Sequence, residues 1–288
     1  TNYDLPIEGI LHTEPAFYFH RAELDQTEDE YSQFCADQLE ELILKENPDT
    51  VAGFIAEPVI GNGGLVPPPH NYWPRIKNVL EKYDVALISD EVVTGFGRLG
   101  KMFGVDYFGI EADMITVAKG ITSAYSPLSG SILSEKISNV IRDATDEYGV
   151  WTHGSTYSAH PISCAAGVAN LNHIDNHQLI KKGKDISKYF NFKLKEKFQD
   201  HPQVGDVRGI GLLSAIELVK DKKNRKFFEK KGKLSQEIVM KMAKNGVLAR
   251  AMPAGDTIGF APAFCISNDE IDTILDVTLQ SIDEVINN

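Results

Sequence analysis

Val85-Ala-Leu-Ile-Ser-Asp90-Glu91 runs apolar for its first residues and stops on two acids, and Val-Val-Thr-Gly-Phe-Gly-Arg98-Leu-Gly100 follows. A run that is apolar on both faces suits a strand covered on both sides, as in a parallel sheet. The same texture stands before it in Val51-Ala-Gly-Phe-Ile-Ala-Glu57-Pro58, and after it in Met114-Ile-Thr-Val-Ala-Lys119-Gly120 and Leu128-Ser-Gly-Ser-Ile-Leu133. Between the first two runs, Trp73, Ile76, Val79, Leu80 and Tyr83 recur at helical spacing. Upstream, Thr27-Glu-Asp-Glu30 is a capping box that opens a helix with Tyr31, Phe34, Cys35, Leu39, Leu42 and Ile43 on its buried face. This alternation over residues 27–135 predicts an α/β layered domain with a largely parallel sheet. Ligands of such sheets sit beyond the carboxyl ends of the strands. Glu57, Asp90, Glu91 and Lys119 all fall there.

The texture changes after residue 160. Residues 161–199 read as long helices. Gly209–Leu218, Gly246–Arg250 and Thr257–Ala261 read as strands, with a helix at 234–245 between the first two. A second capping box, Ser267-Asn-Asp-Glu270, opens a last helix with Ile271, Ile274, Leu275, Leu279, Ile282 and Ile286 on one face. The expected division is therefore a large domain over 1–170, a helical connection over 171–194 and a smaller α+β domain over 195–288.

Composition narrows the function classes. The 288 residues, 42% apolar and 24% charged, suit a globular chain of about two domains. With 41 acidic against 29 basic residues and a net charge of −12, the surface repels phosphate backbones, so nucleic acid is not an expected partner. Cys35, Cys164 and Cys265 are odd in number and lack CxxC spacing, which suggests neither a disulfide framework nor structural zinc. No apolar run approaches the ~20 residues that span a bilayer, and the start lacks the basic and apolar regions of a signal peptide. No membrane partner and a reducing, cytoplasmic location are expected.

The charged strand ends admit two readings each. Asp90 could cap a helix or pair with Arg98; equally, it could share a site with Lys119, whose strand ends 29 residues later. Glu57 could be an unremarkable strand-end acid or position a substrate amine. Arg250, between Val247-Leu248 and Ala251-Met252, could form a structural salt bridge or clamp a carboxylate bidentately. His153 and His160 have no third ligand near in sequence, so no metal is expected. Gly61-Asn-Gly-Gly64 lacks the GxGxxG pattern of a dinucleotide site.

Asp90-Glu-Val-Val-Thr-Gly-Phe-Gly-Arg-Leu-Gly100 and Lys119-Gly-Ile-Thr-Ser123 resemble the class III aminotransferases, pyridoxal 5'-phosphate enzymes of fold type I. Ala56-Glu-Pro-Val-Ile-Gly-Asn-Gly-Gly64, His153-Gly-Ser-Thr-Tyr-Ser-Ala-His-Pro161, Arg208-Gly-Ile-Gly-Leu212, Ala249-Arg-Ala-Met-Pro253 and Gly259-Phe-Ala-Pro262 extend the resemblance, in order and at compatible spacing. It implies a mainly parallel large domain, incomplete at its start, and a smaller C-terminal α+β domain. It also implies roles: Lys119 forms the Schiff base with the cofactor aldehyde and shuttles the substrate proton. Asp90 keeps the cofactor ring nitrogen protonated, and Val92 packs under the ring from the same strand face. Thr156 supplies a hydroxyl to the cofactor phosphate, just ahead of a helix expected to begin near Pro161. In the family the matching threonine reaches the neighbouring subunit's cofactor, which implies a homodimer with shared active sites.

Arg250 matches an arginine of the branch that acts on ω-amino acids and amines with pyruvate, and Glu57 is carried as a second substrate-binding residue. Val93 departs from the glutamine that many members carry there, which speaks against the ornithine and 4-aminobutyrate branches. The implied activity moves an amino group from an amine or ω-amino acid to a 2-oxo acid such as pyruvate. The alternatives are an inactive fragment or pseudoenzyme kept as an assembly subunit, or an aminomutase or decarboxylase on the same scaffold. Because the resemblance begins partway into the family pattern, a preceding portion is expected, and Thr1–Pro6 reads as a loop in mid-course. It would carry a Gly-Ser phosphate cradle and an aromatic for the upper ring face. Without it the 288 residues are expected to bind the cofactor weakly and turn over poorly.

Overall fold

The computed structural model describes residues 7–230 and 232–287. The reading of Thr1–Pro6 as a loop lies outside them. The chain divides into two compact units, one of residues 1–54 with 68–86 and one of 55–67 with 87–288.

In the first unit a short helix α1 (Tyr18–Arg21) precedes α2 (Glu28–Glu46), which opens on the expected capping box: Thr27 accepts from Glu30 N–H and Glu30 accepts from Thr27 N–H. Tyr31, Cys35, Leu39 and Ile43 form the buried i, i+4 row. Phe34 departs from expectation and is exposed. The buried stripe turns instead toward the small Ser32 and Ala36, and Ser32 Oγ donates to His70 O at 2.6 Å. Small side chains there allow close approach of α3 (Tyr72–Lys82), which buries Trp73, Ile76 and Leu80. Arg75 joins the two helices through Asp29 at 2.7 Å.

Four short strands, β1 (Gly53–Ala56), β2 (Ala86–Asp90), β3 (Met114–Val117) and β4 (Gly130–Leu133), lie in that order in one sheet. β2 and β3 are parallel, with Asp90 opposite Thr116. The sheet is mixed, because β4 runs antiparallel to β3, with Met114 opposite Leu133 and Val117 opposite Gly130. The covered strand expected over 128–133 starts only at Gly130 and is exposed throughout. Its Ser126-Pro127 approach turns the chain back on β3 rather than across a helix, so no parallel return is possible. A five-residue helix α4 (Gly104–Phe108) follows the glycine-rich turn after β2, and α5 (Glu135–Tyr148) follows β4.

The helical stretch is two helices, α6 (Pro161–Asn176), which begins on the expected proline, and α7 (Leu179–Phe198). The second sheet has order β5 (Val204–Ile210), β6 (Leu213–Leu218), β8 (Thr257–Phe260), β7 (Arg250–Met252), antiparallel throughout. Two strand expectations are corrected here. Gly209–Leu218 is a hairpin and not one strand, because Gly211 turns back at φ +57°. A Cβ at Gly211 would stand 2.3 Å from Arg98 O, so the turn demands glycine. The strand placed at 246–250 begins only at Arg250.

With α8 (Lys233–Lys244) and α9 (Asn268–Ile286), α7 covers one face of this sheet. Phe190, Leu194, Ile216, Ile238, Ile258 and Leu275 belong to that core. The opposite face presents Leu213, Ala215 and Met252 to Val59, Leu65 and Leu99. No helix among the described residues is long and apolar enough to cross a membrane.

Candidate active site

The two acids that end β2 have opposite fates. Glu91 is fully buried and turned away: its carboxylate accepts from the N–H groups of Gly104 and Val105, both at 2.8 Å, and from the Thr94 hydroxyl. It holds the first turn of α4 in place. Asp90 is only partly buried, and both of its hydrogen bonds, from Val92 N–H at 3.0 Å and Thr116 Oγ1 at 3.2 Å, fall on Oδ1. Thr116 is its register partner on β3, so the sheet itself orients the carboxylate. The alternative pairing of Asp90 with Arg98 does not occur. Arg98 instead donates to Pro262 O at 2.7 Å and stacks over Phe264, its pKa lowered by burial.

Lys119 opens a 3-10 turn after β3 at φ +43°. A lysine in the left-handed region is uncommon and carries local strain, a pattern found at functional sites. Its side chain is exposed and, among the described residues, its ammonium makes no hydrogen bond or ion pair. One carboxylate, Glu57, stands within its electrostatic reach. Glu57 accepts from Gly61 N–H at 2.8 Å. Burial raises its pKa above the ordinary carboxylate value and the Asp90 charge adds to this, while the Gly61 N–H and Lys119 oppose it.

Lys119 lines an open cleft of about 1490 Å³, whose walls also carry Asn62, Val93, Arg98, Arg250 and Phe264. Arg250 is exposed, and its Nη2 donates to Asn62 Oδ1 at 2.7 Å. The structure therefore brings Lys119 and Arg250 to one cleft, and the charges of Lys119 and Asp90 both act on Glu57. Val92 does not sit as expected. β2 ends at Asp90, so the period-two argument fails, and residues 92–95 turn, with Gly95 N–H donating to Glu91 O. Val93 lines the cleft, whereas Val92, like Asp90 and Glu57, is not among its lining residues. Thr156 is exposed, in a turn braced by Ser155 and Ser158, and is not among the cleft-lining residues. Sequence reasoning missed Asn62. Its partner is 188 residues away, and an asparagine between glycines signals only a turn.

Pyridoxal phosphate requires a primary amine for its aldehyde and a carboxylate for its ring nitrogen. The unpaired Lys119 amine and the open Asp90 oxygen fit both demands.

A family model described as class III aminotransferase matches residues 6–282. The chain is 47% identical over 286 residues to a diaminobutyrate–2-oxoglutarate transaminase of Halomonas elongata, covering 99% of this chain and 61% of that protein. It is 39% identical over 274 residues to the mitochondrial gamma aminobutyrate transaminase 1 of Solanum lycopersicum, covering 95% of this chain and 53% of that one. The solved omega transaminase of Pseudomonas jessenii in complex with PMP superposes with a TM-score of 0.95 at 33% identity, covering 99% of this chain and 62% of that one. A transaminase structure from an ancestral-reconstruction study superposes at 0.97 with 49% identity, covering 99% and 62%. The chain thus spans between half and two thirds of the length of these relatives.

Proposed function

Because the chain belongs to the class III aminotransferases, with the α/β fold of fold type I, we propose that the whole protein moves an amino group from an amine or ω-amino acid to a 2-oxo acid. The observation that carries this reading is Lys119, an amine on strained backbone that lines a cleft and has no partner among the described residues, with Asp90 at the neighbouring strand end.

Pyridoxal phosphate, when bound, supplies an aldehyde carbon to carry the amino group and a ring that accepts the electron pair left when a C–H proton departs. Lys119 would hold it covalently through Nζ. Freed by an incoming substrate amine, the same Nζ would be the base that takes the proton from the substrate carbon and the acid that gives it back. Asp90 holds a proton at the ring nitrogen, its geometry fixed by Thr116 Oγ1 and Val92 N–H. Arg250 receives the carboxylate of an ω-amino acid or 2-oxo acid, exchanging Asn62 for it. Glu57 orients an incoming amine. The relatives named for diaminobutyrate and gamma aminobutyrate put amino acids with a remote amine in the donor panel, even with valine at 93.

In the same reading residues 1–170 form the cofactor domain, 171–194 the connection and 195–288 the small domain. The assembly is a homodimer with shared active sites, in which Thr156 serves the partner subunit's cofactor. The exposed apolar side chains Tyr125, Trp151, Tyr157, Ile162 and Val168 support it. The deciding experiment adds pyridoxal phosphate to the whole protein, reduces with borohydride and maps the modified peptide. A visible band with the label on Lys119 supports the reading. A label on another lysine overturns the assignment.

A further inference from the structure

One loop of the cleft wall is gripped at both ends by arginines that stand in a single row of the second sheet. Residues 60–66 form a tight hairpin, with Ile60 N–H donating to Val66 O at 3.0 Å and Val66 N–H returning to Ile60 O at 2.8 Å. Its tip, Gly61-Asn62-Gly63-Gly64, has the composition with the most conformational freedom to lose, and Leu65 behind it sits at φ +52°. Such a loop needs outside restraint to hold one shape.

Arg208 supplies it. Its Nε and Nη2 both donate to Gly64 O, at 3.0 and 2.9 Å, while Nη1 donates to Asp206 and Glu217, each at 2.7 Å. Arg208 is 8% exposed and Glu217 fully buried. At the other end of the tip, Asn62 accepts from Arg250. The register links the two grips: Arg208 lies opposite Ala215, Ala215 opposite Gly259, and Gly259 opposite Arg250. Directly opposed residues share a face, so two arginines flank two residues with almost no side chain. Leu65 fills the trough between them. It clusters with Ala215 and Val59, and a Cβ at Gly259 would stand 3.1 Å from Leu65 Cδ1 and 2.7 Å from Met252 Sδ.

A buried ion cluster is a weak source of stability, since desolvation opposes the attraction. A planar guanidinium that grips one carbonyl from two nitrogens is, however, strongly directional. We propose that Arg208 is a positioning residue that fixes the 61–65 loop, sets where Asn62 meets Arg250, and thereby tunes recognition of the substrate carboxylate without touching substrate. The inference rests on the reading of Arg250 as the carboxylate clamp.

The test uses the whole protein loaded with pyridoxal phosphate, with the donor half-reaction followed in single turnovers, so that no 2-oxo acid carboxylate intervenes. 4-Aminobutyrate carries a carboxylate and propylamine does not. Arg208→Lys keeps the buried charge and loses the two-nitrogen grip. It is expected to raise the half-saturating 4-aminobutyrate concentration by roughly tenfold, with the limiting rate and the propylamine reaction unchanged. Amide hydrogen exchange across 61–66 should quicken by about the same factor. Equal losses on both donors, or unchanged exchange at 61–66, overturn the proposal.

If Arg208→Lys fails to fold, the paired variant Arg208→Met with Glu217→Leu removes the grip together with its fully buried counter-charge and leaves the part-exposed Asp206, and the same readouts apply. Arg250→Ala separates the two readings. If it spares 4-aminobutyrate binding, the carboxylate clamp fails, and exchange at 61–66 still decides the loop restraint. If it impairs 4-aminobutyrate binding while Arg208→Lys does not, only the positioning role falls.

Discussion

At the scale of single residues, the chemistry resolves into groups held by the sheet and groups left open to the cleft. Asp90 belongs to the first kind, so Asp90→Asn should preserve the fold and cofactor binding and slow transamination by roughly 10²–10⁴-fold, measured as kcat with a saturating donor. Lys119→Ala should remove borohydride-trapped label from the 119 peptide with no fall in melting temperature. Glu57 gives a pH test. Its pKa in the folded chain is raised, chiefly by burial, above the ordinary 4.5. Between the two values the folded state holds more protons than the unfolded one, so stability falls as pH rises through that window. Glu57→Gln keeps an acceptor for Gly61 N–H and lacks the charge. It should therefore gain melting temperature over the parent at pH 8 and lose that advantage toward pH 4. An advantage independent of pH would contradict the buried-carboxylate account. The strand-end acids and Lys119 were legible because a charge closing an apolar run is a local signal. The Asn62–Arg250 contact was not, and Val92 was placed on a strand two residues too long.

At the scale of elements, both capping boxes fixed helix starts from four residues of sequence, and Pro161 marked the start of α6. Local chemistry satisfies the first N–H groups there, so no distant partner is needed to predict it. Strand ends fared worse. The apolar run 209–218 gives no local warning that Gly211 meets the Arg98 carbonyl, a contact made across the fold. Gly211→Ala should therefore destabilise by at least about 2 kcal/mol, from the positive φ and the close approach together. Thermal denaturation would check it, and a neutral result would mean that the β5–β6 turn can shift. Thr27→Ala, which removes one cap from α2, should cost only about 1 kcal/mol.

At the scale of the whole molecule, the α/β character was legible from alternation alone, while the antiparallel β4 was not, because period and composition do not report strand direction. The same strand and the 125–168 segment leave much apolar surface open, Tyr125 at 89% and Tyr157 at 79% exposed. Surface of that kind marks interaction sites. Sedimentation of the whole protein should give a dimer at micromolar concentration, and Tyr157→Asp with Ile162→Asp should shift it toward monomer. A monomer in the parent would remove the support for shared active sites.

The backbone at Lys119 has a consequence for how this molecule could be improved. At φ +43° the position is one that glycine would occupy without strain, yet the reading above requires an amine there. Lys119→Gly should then melt higher than Lys119→Ala, by an increment worth roughly 1 kcal/mol. A search for heat-resistant variants that ignored turnover would drift toward dead protein at this site. Durability and reactivity compete for one residue, and any selection for the first has to screen for the second at every round.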